Sequence, residues 1–99
     1  MNNNQDRAIE VPIDGTLDLH TFDPKQIKDL IPDYLKLCRE RGILSVRIIH
    51  GKGKGVLRRT VHSILEKMPE VVSFRPGGIN EGQWGATIVR LKTGRNDRS

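Results

Sequence analysis

Two short segments of the sequence hold most of the residues able to do chemistry. The first is Leu17-Asp18-Leu19-His20, and the second is His50-Gly51-Lys52-Gly53-Lys54-Gly55. Imidazoles titrate near neutrality, so His20 and His50 can take or give a proton in a reaction. An aspartate two residues before a histidine can fix its tautomer, or hold a divalent cation such as Mg2+ or Mn2+. Gly51, Gly53 and Gly55 let the backbone come close to an anion and adopt positive φ. The turn also opens a helix, whose first amides and dipole favour a phosphate. Lys52, Lys54, Arg58 and Arg59 add charge, and residues 50–61 contain no acid. A polyanion would meet that cluster first.

Plainer readings stand beside these. A glycine-rich strand-to-helix turn can be only a tight connection, and this one is neither a Walker loop nor the spaced dinucleotide fingerprint. Four basic residues without an acid tip the balance toward phosphate. Asp-x-His on a strand is as often a hydrogen-bonding device as a catalytic pair. His62 falls on the flank of the second helix and reads as solvated. Cys38 and Tyr34 share an apolar stripe and read as packing. Trp84, in a glycine-rich loop, reads equally as a base stack or as a cap on the core.

The surrounding elements must bring those segments together. Residues 16–20 alternate, with Leu17 and Leu19 on one face, which suits a short strand. Asp23-Pro24 reads as a helix start, and apolar residues recur at three-and-four spacing to about residue 41, with Pro32 inside the run. Residues 44–49 read as a buried strand, 56–68 as a second helix, 71–75 and 86–92 as further strands, and 76–85 as a loop. The predicted class is α/β, an α+β two-layer sandwich of order β-α-β-α-β-β with a four-stranded mixed sheet. The first three strands run parallel and the last returns antiparallel through a long hairpin. Ligands in such sheets collect beyond the carboxyl ends of the parallel strands. Asp18, His20 and His50 are therefore expected at one edge.

Size and composition bound the rest. At 99 residues the chain has room for one core and no large ligand cavity. We expect the domain over 14–92, a flexible arm over 1–13, and a flexible basic tail over 93–99 carrying Arg95 and Arg98. The single cysteine rules out an internal disulfide and fits a reducing compartment. Neither a signal peptide nor a membrane span is visible, so the expected location is the cytoplasm. Lys and Arg exceed Asp and Glu by 17 to 12, a surplus that favours a polyanionic partner.

The two motifs together, in this order and at this separation, resemble the Smr (small MutS-related) domain family in its stand-alone bacterial type. The likeness runs from about residue 14 to 92 and takes in Leu57-Arg58-Arg59 and Trp84-Gly85-Ala86-Thr87. It implies a fold similar to the C-terminal domain of a bacterial translation initiation factor. It also implies binding of DNA or RNA and, in several members, nicking of DNA or cleavage of RNA. Carried onto this chain, the implicated positions are Asp18, His20, His50, Gly51, Lys52 and Gly53, with Arg58 as a further member. Many members follow the first motif with Gly-Leu, where this chain has Thr21-Phe22.

The expected function is thus nucleic-acid binding with endonuclease activity on phosphodiesters. Asp18, His20 and His50 would be the catalytic group, with Asp18 as the one candidate metal ligand. Gly51, Lys52, Gly53, Lys54, Gly55, Arg58 and Arg59 would hold phosphate. In this reading His20 is the base and His50 the acid near the leaving oxygen. The rival is a binding module without turnover; a third class, an enzyme for a small nucleotide, lacks a ribose-reading acid after the turn.

Overall fold

The structure, a computed structural model, describes residues 12–93. The expected arm and tail lie outside the described residues except for Pro12, Ile13 and Thr93, and Ile13 already packs against the core. Four strands and two helices follow in the order β1 (Thr16–Asp18), α1 (Pro24–Glu40), β2 (Ser45–Ile49), α2 (Val56–Glu66), β3 (Val71–Pro76) and β4 (Ala86–Leu91). One 3-10 turn, Leu19–Thr21, follows β1, and another, Gln83–Gly85, precedes β4.

β1 is shorter than the alternation suggests. The Asp18 carboxylate accepts the His20 amide at 2.9 Å, and the Phe22 amide donates to the Leu19 carbonyl at 3.1 Å. Those bonds curl the chain into the turn, so His20 stands just past the strand while Leu17 and Leu19 both remain buried. Phe22, where the family pattern differs, packs against the core. α1 begins as its sequence predicts: Asp23 accepts the Lys25 amide, the Gln26 side chain accepts the Asp23 amide, and Pro24 takes the first helical position. The helix runs through Pro32 to Glu40 and buries Ile27, Leu30, Ile31, Tyr34, Leu35 and Cys38. The Tyr34 hydroxyl accepts the Gly15 amide and donates to the Thr16 carbonyl, both at 3.1 Å, which ties α1 to the start of β1.

The sheet order is β1-β2-β4-β3. β1 and β2 pair in parallel, and β4 is antiparallel to both β2 and β3. The first three strands therefore share a direction, as expected, but β3 is not a neighbour of β2. β4 lies between them, and every residue of it except Arg90 is buried. β3, at the edge, is buried at none of its six positions. The core joins α1 and α2 to one face of the sheet through Leu17, Val46, Ile48, Val61, Leu65 and Val89. On the other face Ile88 lies in register between Arg47 and Arg75.

Candidate functional site

Three strand ends meet at one edge of the sheet. Asp18 ends β1 opposite Ile49, His50 follows β2, and β4 begins opposite Ile49 with Ala86. The antiparallel β4 thus brings its first residues to the carboxyl ends of β1 and β2. From here the chain enters the glycine turn and then α2.

Asp18 and His20 form a pair at the surface. His20 Nδ1 donates to Asp18 Oδ1 at 2.6 Å, with both side chains more than half exposed. The same oxygen accepts the His20 amide, and that bond, first among its causes, lowers the Asp18 pKa below the ordinary carboxylate value. With Nδ1 bonded to the carboxylate, His20 Nε2 is turned toward the turn. A Cβ on Gly51 would stand 3.5 Å from it. The expected convergence of the first motif on the second is present at that atom.

The turn itself is anchored from below. The amides of His50 and Gly51 both donate to the Gly85 carbonyl at 2.9 Å. Gly85 is buried, and a Cβ there would meet Lys52 Cγ at 3.4 Å and the Gly51 carbonyl carbon at 3.6 Å. Gly51 (φ +86°) therefore spends its amide inward. Among the described residues, the amides of Lys52, Gly53, Lys54 and Gly55 donate to no backbone carbonyl. Lys52, Gly53 and Lys54 are exposed and Gly55 is buried. Arg58 and Arg59, on the first turn of α2, fold back so that their guanidinium nitrogens would lie 3.2 and 3.3 Å from a Cβ at Gly55.

His50 is placed differently from the expectation. Its side chain is 6% exposed. Nδ1 lies 3.0 Å from the Gly51 carbonyl, and Nε2 lies 2.9 Å from Thr87 Oγ1. Neither ring nitrogen is presented to a ligand above the turn, so the geometry favours support of the turn over the expected acid role. His62, read as solvated, is half-buried instead. It bonds Thr87 Oγ1 through Nε2 at 2.9 Å and packs its ring against Phe74, 4.8 Å between centroids. Burial, first, and the nearby Arg58 charge push both imidazoles below the usual histidine value of 6.5; for His62 the neighbouring His50 adds to this. Gly85 and Thr87, quoted above only within the family likeness, and His62, read as solvated, are the residues whose part in the site sequence reasoning missed. The Trp84 side chain lies outside the described structure.

Asp18 offers one carboxylate, with one oxygen committed to His20. Among the described residues no group of three or more His, Cys, Asp and Glu could hold a metal ion. Two concavities lie elsewhere, one between α1 and α2 lined by Lys28, Pro32, Arg59 and Lys67, the other beside Arg39 and Gly42; neither includes Asp18, His20 or His50.

A two-layer α+β fold with an Asp–His pair set against a basic glycine turn defines the class. Residues 17–92 match the model of the Smr domain family, and the chain belongs to that family. It is 41% identical over 81 residues to an endonuclease MutS2 of Halothermothrix orenii, covering 82% of this chain and 10% of that protein. To an endonuclease MutS2 of Caldicellulosiruptor bescii it is 45% identical over 62 residues, covering 63% and 8%. The chain thus spans about a tenth of the length of the curated relatives it matches. The crystal structure of the Smr domain of Thermus thermophilus MutS2 superposes with a TM-score of 0.73 at 29% identity, covering 80% of this chain and 99% of that one. YdaL, a stand-alone small MutS-related protein from Escherichia coli, shares the fold with a TM-score of 0.76 at 22% identity, covering 88% and 71%.

Proposed function

We propose that this domain binds DNA or RNA at the glycine turn and cuts a phosphodiester there. The observation that carries the reading is His20 Nε2, turned toward Gly51 while Asp18 holds Nδ1. A phosphate seated on the amides of residues 52–55 would lie beside it. Lys52 and Lys54 supply charge there, and Arg58 and Arg59 extend it along α2. His20 takes a proton from water, or from the 2′-hydroxyl of RNA, and the oxygen so activated attacks phosphorus. The turn amides and the lysines steady the charge that grows on the phosphate. The leaving oxygen takes its proton from water, since His50 is turned inward.

The much longer relatives are endonucleases, which supports this reading. A divalent ion such as Mg2+ or Mn2+ belongs to the same proposal only as a guest of the substrate. One carboxylate does not make a protein metal site, and such an ion would be carried by phosphate and water with Asp18 at its edge. No helix among the described residues is long and apolar enough to cross a membrane. With the buried free thiol of Cys38, this supports a cytoplasmic setting.

One observation favours the rival, a binding module without turnover: Asp18 also caps the turn after β1, so the Asp–His pair has a local task. Incubation with supercoiled plasmid and with structured RNA, with and without chelator, separates the two. Cleavage should fall roughly a hundredfold or more in His20→Ala, the scale of an acid–base group, with binding little changed. Loss of cleavage under chelator would place a metal in the reaction. Replacing Lys52 and Lys54 by Ala should flatten the dependence of binding on salt. If the wild type binds but cuts neither polymer, the nuclease reading fails and the binding module stands.

A further inference from the structure

Thr87 is fully buried on β4, and its hydroxyl has one proton to give. Two imidazole nitrogens stand 2.9 Å from its oxygen, His50 Nε2 and His62 Nε2. The other nitrogen of His50 faces the Gly51 carbonyl at 3.0 Å. A carbonyl only accepts, so His50 Nδ1 carries a proton and donates it. In the neutral ring Nε2 is then bare and accepts from the Thr87 hydroxyl. The Thr87 oxygen accepts in turn from His62 Nε2–H. The chain has one direction, from His62 through Thr87 and His50 to the Gly51 carbonyl.

That direction matters at its far end. The Gly51 peptide pair is tied on both sides, its amide to Gly85 and its carbonyl to His50. A His50 ring with the proton on Nε2 would set a lone pair against the carbonyl and release it. The turn would then be free to rotate its next amides inward. Burial keeps both rings neutral near pH 7, which suits the directional chain. Arg58, and on the same helix Glu66, are the charges that act on the two rings.

We propose that Thr87 and His62 are positioning residues of the glycine turn: they hold His50 in its Nδ1–H tautomer, which pins the Gly51 carbonyl beneath the turn and leaves the amides of residues 52–55 facing the nucleic-acid backbone. The last clause rests on the function proposed above. The tautomer does not. Neither Thr87 nor His62 touches the ligand in this arrangement; both act through His50.

Two measurements on the full chain test it. Long-range proton–nitrogen NMR of the histidine rings at about pH 8, where neutral imidazole dominates, should find His50 protonated at Nδ1 and His62 at Nε2. In Thr87→Val the His50 Nδ1 proton should lose its protection from exchange. Affinity for a single-stranded oligonucleotide at fixed salt should fall roughly tenfold, the scale of one net hydrogen bond. Thr87→Ser, which keeps the hydroxyl, should restore both. If Thr87→Val does not fold, His62→Leu carries the same test, with His62→Gln, whose amide can donate in place of Nε2–H, restoring the signal. His50 protonated at Nε2 in the wild type overturns the proposal. So do folded Thr87→Val and His62→Leu variants that bind like the wild type. A wild type that binds no oligonucleotide sinks the functional reading instead, and the ring spectra still decide the chain of bonds.

Discussion

A Cβ added to Gly53 would meet no heavy atom within 4 Å, whereas Gly55 sits at φ +83° with the Arg58 and Arg59 guanidinium groups crowding the same space. The fold therefore needs glycine at 55 and tolerates a side chain at 53. Gly53→Val should change unfolding free energy by no more than about 0.5 kcal/mol while oligonucleotide binding drops, because the valine stands where phosphate would approach. Gly55→Val should cost about 1–3 kcal/mol. Thermal unfolding beside a binding titration checks both. The buried histidines give a pH signature. Their folded values lie below 6.5, so the unfolded chain binds protons that the folded chain refuses. Stability should be full above about pH 6.5 and decline as pH falls below it. His62→Gln, which keeps a donor but does not titrate, should flatten part of that decline; an unchanged profile would mean that His62 titrates freely. At this scale the sequence made Asp18, His20 and the turn legible, because motif and alternation mark them. It hid the partners of His50. Thr87 looks like any β-branched strand residue, and His62 lies beside the apolar stripe of Val61 and Leu65. Both gain meaning only when β4 stands next to β2.

Between residue and fold, each element was readable from its own period and punctuation. Asp23-Pro24 opens α1, and β2 is a β-branched run. Boundaries moved where side chains intervened: Asp18 ends β1 early, and the 66–68 segment closes with the Lys67 and Met68 amides donating back to Ile64 and Leu65. The order of the strands was not readable, since β3 and β4 pair as a hairpin whichever of them lies inside. Burial decides it, because Ala86, Thr87 and Val89 are small or apolar enough to be covered on both faces, and β3 is not. The hairpin loop has its own clasp. Glu81 accepts from Arg75 Nη1 and from the Gly78 amide, both at 2.8 Å, and Arg75 first among these partners holds the Glu81 pKa down at about 2. Its folded value is depressed, so the clasp holds above about pH 4.5 and loosens as pH falls toward 2. Glu81→Gln should speed hydrogen exchange at the Gly78 amide at neutral pH and leave the α1 amides unchanged. Equal rates in both proteins would show that the loop is held by other means.

Across the whole domain, the turn carries Lys52 and Lys54 at the sheet edge where Asp18 is bonded to His20. The site is assembled from parts far apart in sequence, with Gly85 and Thr87 arriving about thirty-five residues after His50. A fragment of residues 12–70 should therefore show little cooperative unfolding and no oligonucleotide binding, and a 71–93 peptide added in trans should restore both. Circular dichroism and a binding assay on the mixed halves would reveal it; a fragment active alone would mean that β4 is dispensable. The middle place of β4 also sets a schedule for the living chain. A ribosome releases lysines, glycines and both motif histidines while the strand that organises them is still unmade. At about 5–20 residues per second, the interval between His50 and Leu91 is about two to eight seconds. Through that time β2 waits with an open edge and the turn lacks its floor. On the proposed function, the turn has no finished seat for a polyanion until its final strand threads between two that are already in place.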